Sequence, residues 1–122
     1  MSKQRYDETS LRDILLATGK ITEFVEGMSQ AEFCDDQKTI SAVLYQMAVM
    51  GEAVKRLSIN LRERYPDVPW SDVAGLRDKL VHDYEEIDYP RIWTITNQSI
   101  PALILAVQEV LAAETEAQNN FD

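Results

Sequence analysis

The sequence is poor in the residues that build disulfides and metal centres. It contains one cysteine, Cys34, and one histidine, His82, among 122 residues. A single cysteine cannot form a disulfide within the chain, which fits the reducing cytoplasm. One cysteine and one histidine also fall short of the ligand sets that hold structural zinc. We therefore expect a cytoplasmic protein with no bound metal and no cofactor.

Long apolar runs are also missing. No segment approaches the ~20 residues that a membrane-spanning helix needs, and residues 1–7 lack the apolar core of a signal peptide. Glycine and proline are scarce, at four residues each, whereas 45% of the residues are hydrophobic. This balance is typical of a globular chain. We expect one domain over residues 1–122, with its core at about residues 8–112 and no membrane contact.

Positive charge is in short supply. Twelve Lys and Arg residues face 21 Asp and Glu residues, which gives a net charge of −9. Proteins that grip nucleic acid along a long phosphate track are normally basic, so general affinity for RNA should be weak. Any RNA contact must therefore be local, and we expect Lys79 and Arg91 to be substrate-binding residues.

What the sequence does contain is helical periodicity. An apolar stripe from Leu11 to Met28 predicts a first helix over residues 8–28. A longer stripe predicts a second helix over residues 36–65. Gly51 lies inside it, where glycine costs ~1 kcal/mol against alanine, and we attribute it to the close approach of a neighbouring helix.

The second half of the chain has proline boundaries. Pro66 and Pro69 end the second helix, and Ser71 is predicted to cap a short third helix. A fourth helix is predicted to start after a charged turn and to be kinked at Pro101. Residues 114–122 are polar and are expected to form a frayed tail. Four to five helices with short connections predict an all-α, up-and-down bundle.

Reactive polar residues concentrate at the end of the third helix, where Arg77, Asp78, His82 and Tyr84 lie close in sequence. Histidine titrates near neutrality and can move the proton of an RNA hydroxyl, while arginine presents a fixed fork of donors to a phosphate. Five residues advance ~500° on a helix, so Arg77 and His82 lie ~140° apart. They can converge if the helix ends near His82.

Other interpretations of the same residues remain open. His82 can serve as a helix C-terminal cap, Tyr84 as a surface aromatic, and Arg77 as an ion-pair partner of a neighbouring carboxylate. One histidine per chain adds a constraint on the catalytic interpretation. A base and an acid that are both imidazoles require two chains, which favours a homodimer whose two clusters share one cleft.

The motif Arg77-x-x-x-x-His82-x-Tyr84 resembles the signature of HEPN-domain proteins, and specifically of HepT-like toxins from toxin–antitoxin pairs. The resemblance extends over roughly residues 8–112. It includes Gly51-Glu52-Ala53, Pro69-Trp70, Ile87-Asp88 and Trp93, in the same order.

The resemblance implies a dimeric helical bundle with metal-independent endoribonuclease activity. Arg77 and His82 would be catalytic, and Asp78 would support the site. The implied partner is an MntA-like nucleotidyltransferase antitoxin, which would attach AMP to Tyr84. Such a group would block the cleft by its charge and bulk.

The acidic residues around the motif repel the RNA phosphates. They favour a protein that cleaves a limited set of RNA substrates over one that degrades RNA generally. Two alternatives therefore stay beside the ribonuclease. One is a non-catalytic helical module that partners a minimal nucleotidyltransferase. The other is a purely structural four-helix bundle.

Overall fold

A computed structural model describes the backbone of residues 3–121 and the side chains of residues 6–119. Within these ranges the chain forms helices and no strand, which confirms the all-α class. A 3-10 turn, Tyr84–Glu86, and a π-helical segment, Ile95–Ser99, accompany the α-helices. The α-helices of the described chain are α1 (Lys3–Val25), α2 (Gln30–Cys34), α3 (Gln37–Arg56), α4 (Ile59–Arg64), α5 (Trp70–His82), α6 (Tyr89–Thr94) and α7 (Ile100–Phe121).

The core lies where α3 packs against α1 and α5, and where α7 packs against α1. The predicted stripes supply its side chains, because positions three and four apart fall on one side of a helix. Leu11, Ile14 and Ile21 of α1 are fully buried, as are Met47 and Val54 of α3. The helical periods in the sequence therefore identified the core faces correctly.

The prediction of one continuous helix over residues 36–65 is wrong. Helix α3 ends at Arg56, Leu57 is extended, and Ser58 caps α4 by accepting a hydrogen bond from Leu61 N at 3.1 Å. The buried carboxylate of Asp7 accepts bonds from Ser58 N at 2.8 Å and Ser58 Oγ at 2.6 Å. Leu57 and Leu61 are both buried, so the apolar stripe continues through this break. The hydrophobic pattern of the sequence therefore gave no sign that the helix is interrupted.

Helix α5 begins two residues earlier than predicted. Trp70 is its first residue and Pro69 occupies the cap position, so Ser71 is not the cap. Proline is tolerated here because the first N–H groups of a helix have no partner within it. The Trp70 indole is buried and donates a hydrogen bond to Tyr65 O at 3.0 Å, which anchors the start of α5.

The predicted disturbance near Pro101 takes the form of the π-helical segment Ile95–Ser99 between α6 and α7. Proline lacks an N–H, so a regular α-helical ladder cannot run through it. Helix α6 starts as predicted, with Asp88 accepting a bond from Arg91 N and Pro90 in the first turn. This segment sets the direction of α7.

The expectation of a frayed tail from residue 114 is also wrong. Helix α7 continues to Phe121, and Glu114 is 5% exposed. Arg64 reaches both carboxylate oxygens of Glu114 at 2.8 Å, and the Tyr65 hydroxyl donates to one of them at 2.7 Å. Burial raises the pKa of Glu114, but the bonds from Arg64 and Tyr65 outweigh it and leave the pKa below its usual value.

The helical stretch Tyr89–Asn119 is long and apolar enough to cross a membrane by length and composition. Its most buried apolar residues, Ile100, Leu103, Val107 and Val110, belong to the bundle core. Packing in the core accounts for part of this hydrophobicity, since 28% of the apolar window is buried inside the described bundle.

Candidate active site

Arg77 projects from α5 towards α3 and joins a network of four charged side chains. Its Nε lies 3.2 Å from Glu52 Oε2, and its Nη1 donates to Asp78 Oδ1 at 3.1 Å. Lys55 Nζ donates to the same Asp78 oxygen at 2.8 Å. The Arg77 side chain is 30% exposed, so it is held by carboxylates but still open to a ligand.

Gly51 explains how Arg77 reaches this position. A Cβ atom at residue 51 would overlap Arg77 Cβ and would lie 3.1 Å from Val73 O. Only glycine therefore lets α5 pack this closely on α3 at the level of Arg77. The prediction that Gly51 marks a close helix approach is confirmed, and the neighbour is the helix that carries the motif.

Asp78 is the ionised centre of the network. The hydrogen bond from Lys55, and then that from Arg77, hold the pKa of Asp78 below its usual value. Asp78 contacts Arg77 directly, which is the geometry that a supporting role for Asp78 requires.

His82 and Tyr84 lie apart from this network. His82 is the last residue of α5, and Tyr84 opens the following 3-10 turn with 61% of its surface exposed. The expected helix end at His82 is present, with Asp83 N donating to Lys79 O at 2.8 Å. Among the side chains that the structure describes, no hydrogen bond or ion pair links His82 to Arg77. The helix turn of ~140° keeps the two residues on different sides of α5.

Lys79 and Arg91 line a different surface, an open groove of about 570 Å³ between α5 and the α6–α7 segment. Its apolar lining includes Met50, Leu76 and Ile100, and Asp72 also borders it. Neither Lys79 nor Arg91 forms an ion pair within the described residues. The structure thus brings the two predicted substrate-binding residues to one groove.

A second, shallower groove of about 280 Å³ lies beside Arg77 on the α3 side. Its lining residues are Ala48, Val49, Glu52, Arg56, Arg77 and Val81. Sequence reasoning missed the contact of Glu52 with Arg77 and the place of Arg56 beside it. The only available signal was their spacing, since Val49, Glu52 and Arg56 share one side of a helix.

Acidic, histidine and cysteine side chains are the usual protein ligands of a metal ion. Within residues 6–119, no three of them are arranged to hold a metal ion.

Comparison with known proteins finds similarity to a family of ribonucleases. The family model described as ribonuclease HepT-like matches residues 14–110. A protein of Methanocaldococcus jannaschii, provisionally named an RNase, is 40% identical over 112 residues, which cover 91% of this chain and 93% of the relative. A Thermococcus cleftensis protein, provisionally named ribonuclease HepT, is 33% identical over 82% of this chain and 91% of its own length.

A third relative, from Caldanaerobacter subterraneus and also provisionally named an RNase, is 38% identical and covers 85% of this chain and 93% of its own length. No solved structure gives a significant match. The family match spans α5 and the network around Arg77, together with most of the helices that position them. The chain belongs to the HepT-like ribonuclease family.

Proposed function

We propose that this chain is a metal-independent endoribonuclease, the toxin of a toxin–antitoxin pair that acts in the cytoplasm. One observation carries the proposal. A partly exposed arginine, fixed by two carboxylates, lies on the same short helix as the only histidine, in a chain of a ribonuclease family. Arginine and histidine together supply charge stabilisation and proton transfer, the two requirements of RNA cleavage without a metal.

The proposed reaction is attack by an RNA 2′-oxygen on the adjacent phosphorus. The P–O5′ bond breaks, leaving a 2′,3′-cyclic phosphate on one fragment and a 5′-hydroxyl on the other. The 2′-hydroxyl proton passes to a base, and the leaving oxygen takes a proton from an acid. His82 fills one of these roles, and Arg77 stabilises the extra negative charge on the phosphate oxygens.

The proposal includes a homodimer. One chain holds Arg77 and His82 on different sides of α5, so a shared cleft between two copies offers the missing acid or base. The α3–α5 face is suited to such contact, because Tyr45 and Val81 are 67% and 52% exposed and Val49 lies between them on α3.

The dimer is tested by sedimentation of a Val81→Asp variant. We expect this charge to leave a folded monomer with little cleavage activity. Leu105→Asp, on α7 and 65% exposed, is the matched control and should remain dimeric. A Val81→Asp protein that sediments like the wild type would contradict the assigned face.

Substrate recognition is proposed to rest on Lys79 and Arg91. Lys79 precedes His82 by three residues, so both lie near each other on the outer side of α5. RNA that crosses His82 can place a flanking phosphate on these two cations. The net charge of −9 opposes broad binding, which favours one exposed strand of a structured RNA.

Neutralisation is proposed to occur at Tyr84 through an MntA-like nucleotidyltransferase antitoxin. The Tyr84 hydroxyl is exposed enough to attack the α-phosphate of ATP, with pyrophosphate leaving and the phenolic proton passing to solvent. The attached AMP adds negative charge beside Glu85 and Glu86 and repels RNA. Intact mass of the protein purified with and without the antitoxin tests this step.

The first experiment compares wild type and His82→Ala on cellular RNA in excess EDTA. We expect cleavage by the wild type only, with cyclic-phosphate ends. His82 is exposed, so the variant should unfold at the same temperature as the wild type. Cleavage that needs added metal, or that survives in His82→Ala, would overturn the proposed mechanism.

The second candidate is a binding module without turnover. The separation of Arg77 from His82 within one chain favours it, because a recognition surface does not need the two side chains to converge. In that case neither protein cleaves RNA, while the wild type binds a nucleotidyltransferase tightly and Tyr84→Phe still binds but resists modification.

A further inference from the structure

Glu52 is the one carboxylate of α3 that reaches across to Arg77 of α5. Its Oε2 lies 3.2 Å from Arg77 Nε, and its side chain is 47% exposed. Asp78 is the neighbour of Arg77 in sequence and lies on the same helix. Asp78 can therefore turn together with Arg77, whereas Glu52 ties the guanidinium to a different helix.

The N–H groups of Arg77 are only partly used by its two carboxylate partners. Arginine has five N–H donors in a rigid plane. The Glu52 carboxylate forms an ion pair with Nε at 3.2 Å, and Asp78 accepts a hydrogen bond from Nη1. Among the described side chains, Nη2 and the second Nη1 hydrogen have no acceptor. Two carboxylates held at different nitrogens restrict both the position and the rotation of the plane, which leaves the Nη2 edge open.

The stability of the fold gives no reason for this contact. Exposed ion pairs contribute about 0–1 kcal/mol, and both side chains are partly exposed. The carboxylate also reduces the positive charge that a phosphate would meet at Arg77. A contact that adds little stability and weakens ground-state attraction is better explained by the orientation that it imposes.

We infer that Glu52 is a positioning residue, which fixes Arg77 Nε so that the Nη2 edge faces the reacting phosphate. This inference rests on the proposed ribonuclease function. Glu52 does not itself touch RNA. Its effect passes through Arg77, and misplacement of a catalytic group lowers the rate of the chemical step by up to about 10²-fold.

The test measures cleavage of a defined RNA by wild type, Glu52→Ala and Glu52→Gln. We expect kcat to fall about 10²-fold for alanine and about tenfold for glutamine, with KM unchanged, because glutamine keeps an acceptor without the charge. Glu63→Ala is the control, since Glu63 is exposed on α4 and forms no ion pair within residues 6–119. The melting temperatures of all variants should agree closely.

The same substitution in an Arg77→Lys protein separates an effect on the orientation of Arg77 from a general effect on the structure. Lysine has no Nε donor, so Glu52→Ala should lower kcat much less in an Arg77→Lys protein than in the wild type. Equal losses in the two backgrounds, or wild-type kcat in Glu52→Ala, would overturn the inference.

A spectroscopic measurement keeps the inference testable if the wild type cleaves no RNA, a result that would defeat the proposed function itself. The Nε–H resonance of Arg77, identified by its absence in Arg77→Lys, should be sharp and displaced from that of free arginine. We expect Glu52→Ala to return it to the free position while Glu63→Ala leaves it in place. An unchanged resonance in Glu52→Ala would show that Glu52 does not hold the guanidinium.

Discussion

Arg64 and Arg77 both contact a carboxylate on another helix, and the two pairs differ in how deeply the carboxylate is buried. Arg64 of α4 meets Glu114 of α7 through two bonds of 2.8 Å, and the carboxylate is almost wholly buried. Arg77 of α5 divides its bonds between Glu52 and Asp78, and both carboxylates are about half exposed. The first arrangement covers a buried carboxylate with an arginine that is itself 44% exposed, whereas the second leaves both carboxylates about half exposed.

The difference predicts a structural role for Arg64 and a functional role for Arg77. A buried carboxylate needs its partner, because an unpaired charge away from water is costly. A half-exposed pair has little effect on the free energy of unfolding. We therefore expect loss of Arg64 to act on stability and loss of Arg77 to act on activity.

The largest expected effect is on catalysis. Arg77→Ala should lower the rate of RNA cleavage by about 10²–10³-fold, as loss of one charge-stabilising group does in other enzymes. Its melting temperature should stay within a few degrees of the wild-type value. Single-turnover cleavage and thermal unfolding of the same sample measure both quantities, and wild-type cleavage would assign Arg77 to the structural class.

The next largest effect is on stability. Arg64→Met keeps much of the side-chain volume but leaves Glu114 buried without its cation, so the free energy of unfolding should fall by about 3 kcal/mol. Denaturant titration measures the loss. Cleavage by the folded fraction at low temperature should match the wild type. An unchanged midpoint of denaturant unfolding in Arg64→Met would show that Arg64 contributes no more to stability than Arg77 is expected to contribute.

A smaller effect is expected at the contact between α3 and α5. Gly51→Ala should lower the free energy of unfolding by about 1–3 kcal/mol and also reduce cleavage, because its methyl group displaces Arg77. Gly19→Ala is the matched control within α1, where an added Cβ has nothing within 4 Å. It should stabilise the protein by about 0.5–1 kcal/mol. Equal effects of the two changes would contradict the close helix approach.

The smallest effect is the pH dependence that Glu114 contributes. Its pKa in the folded protein lies below its ordinary value of 4.5, so its stabilising contribution is complete above that pH. The contribution is lost as pH falls through the lowered pKa. Between about pH 5 and pH 3, the midpoint of unfolding should fall more steeply for the wild type than for Glu114→Gln. Parallel curves would mean that Arg64 does not hold the ionised carboxylate.

Sequence reasoning recovered the features that depend on neighbours along the chain. Helical periods placed the buried faces of α1, α3 and α7, and the prolines marked the start of α5 and the π-helical segment. The end of α5 at His82 also agrees with the prediction, although Arg77 and His82 do not converge there within one chain.

The features that escaped depend on pairs far apart in sequence. The break at Ser58 is held by Asp7, and the last helix is held by Arg64 acting on Glu114. The sequence around Asp7 and around Glu114 does not indicate these contacts, because the sequence pattern of a single acidic residue is the same whether its side chain is solvated or buried. The contact of Glu52 with Arg77 was missed for the same reason, although Gly51 beside it had already indicated a close approach. The assignments of Arg77, Asp78, His82, Tyr84, Lys79 and Arg91 to function stay predictions.

The bond between Asp7 and Ser58 has a consequence for how the chain is made. Asp7 precedes its partner by 51 residues, and ribosomes add about 5–20 residues per second. The carboxylate of Asp7 is therefore made roughly 3–10 s before the Ser58 groups that donate hydrogen bonds to it. When Ser58 emerges during synthesis, the carboxylate that supports the start of α4 has therefore already been made.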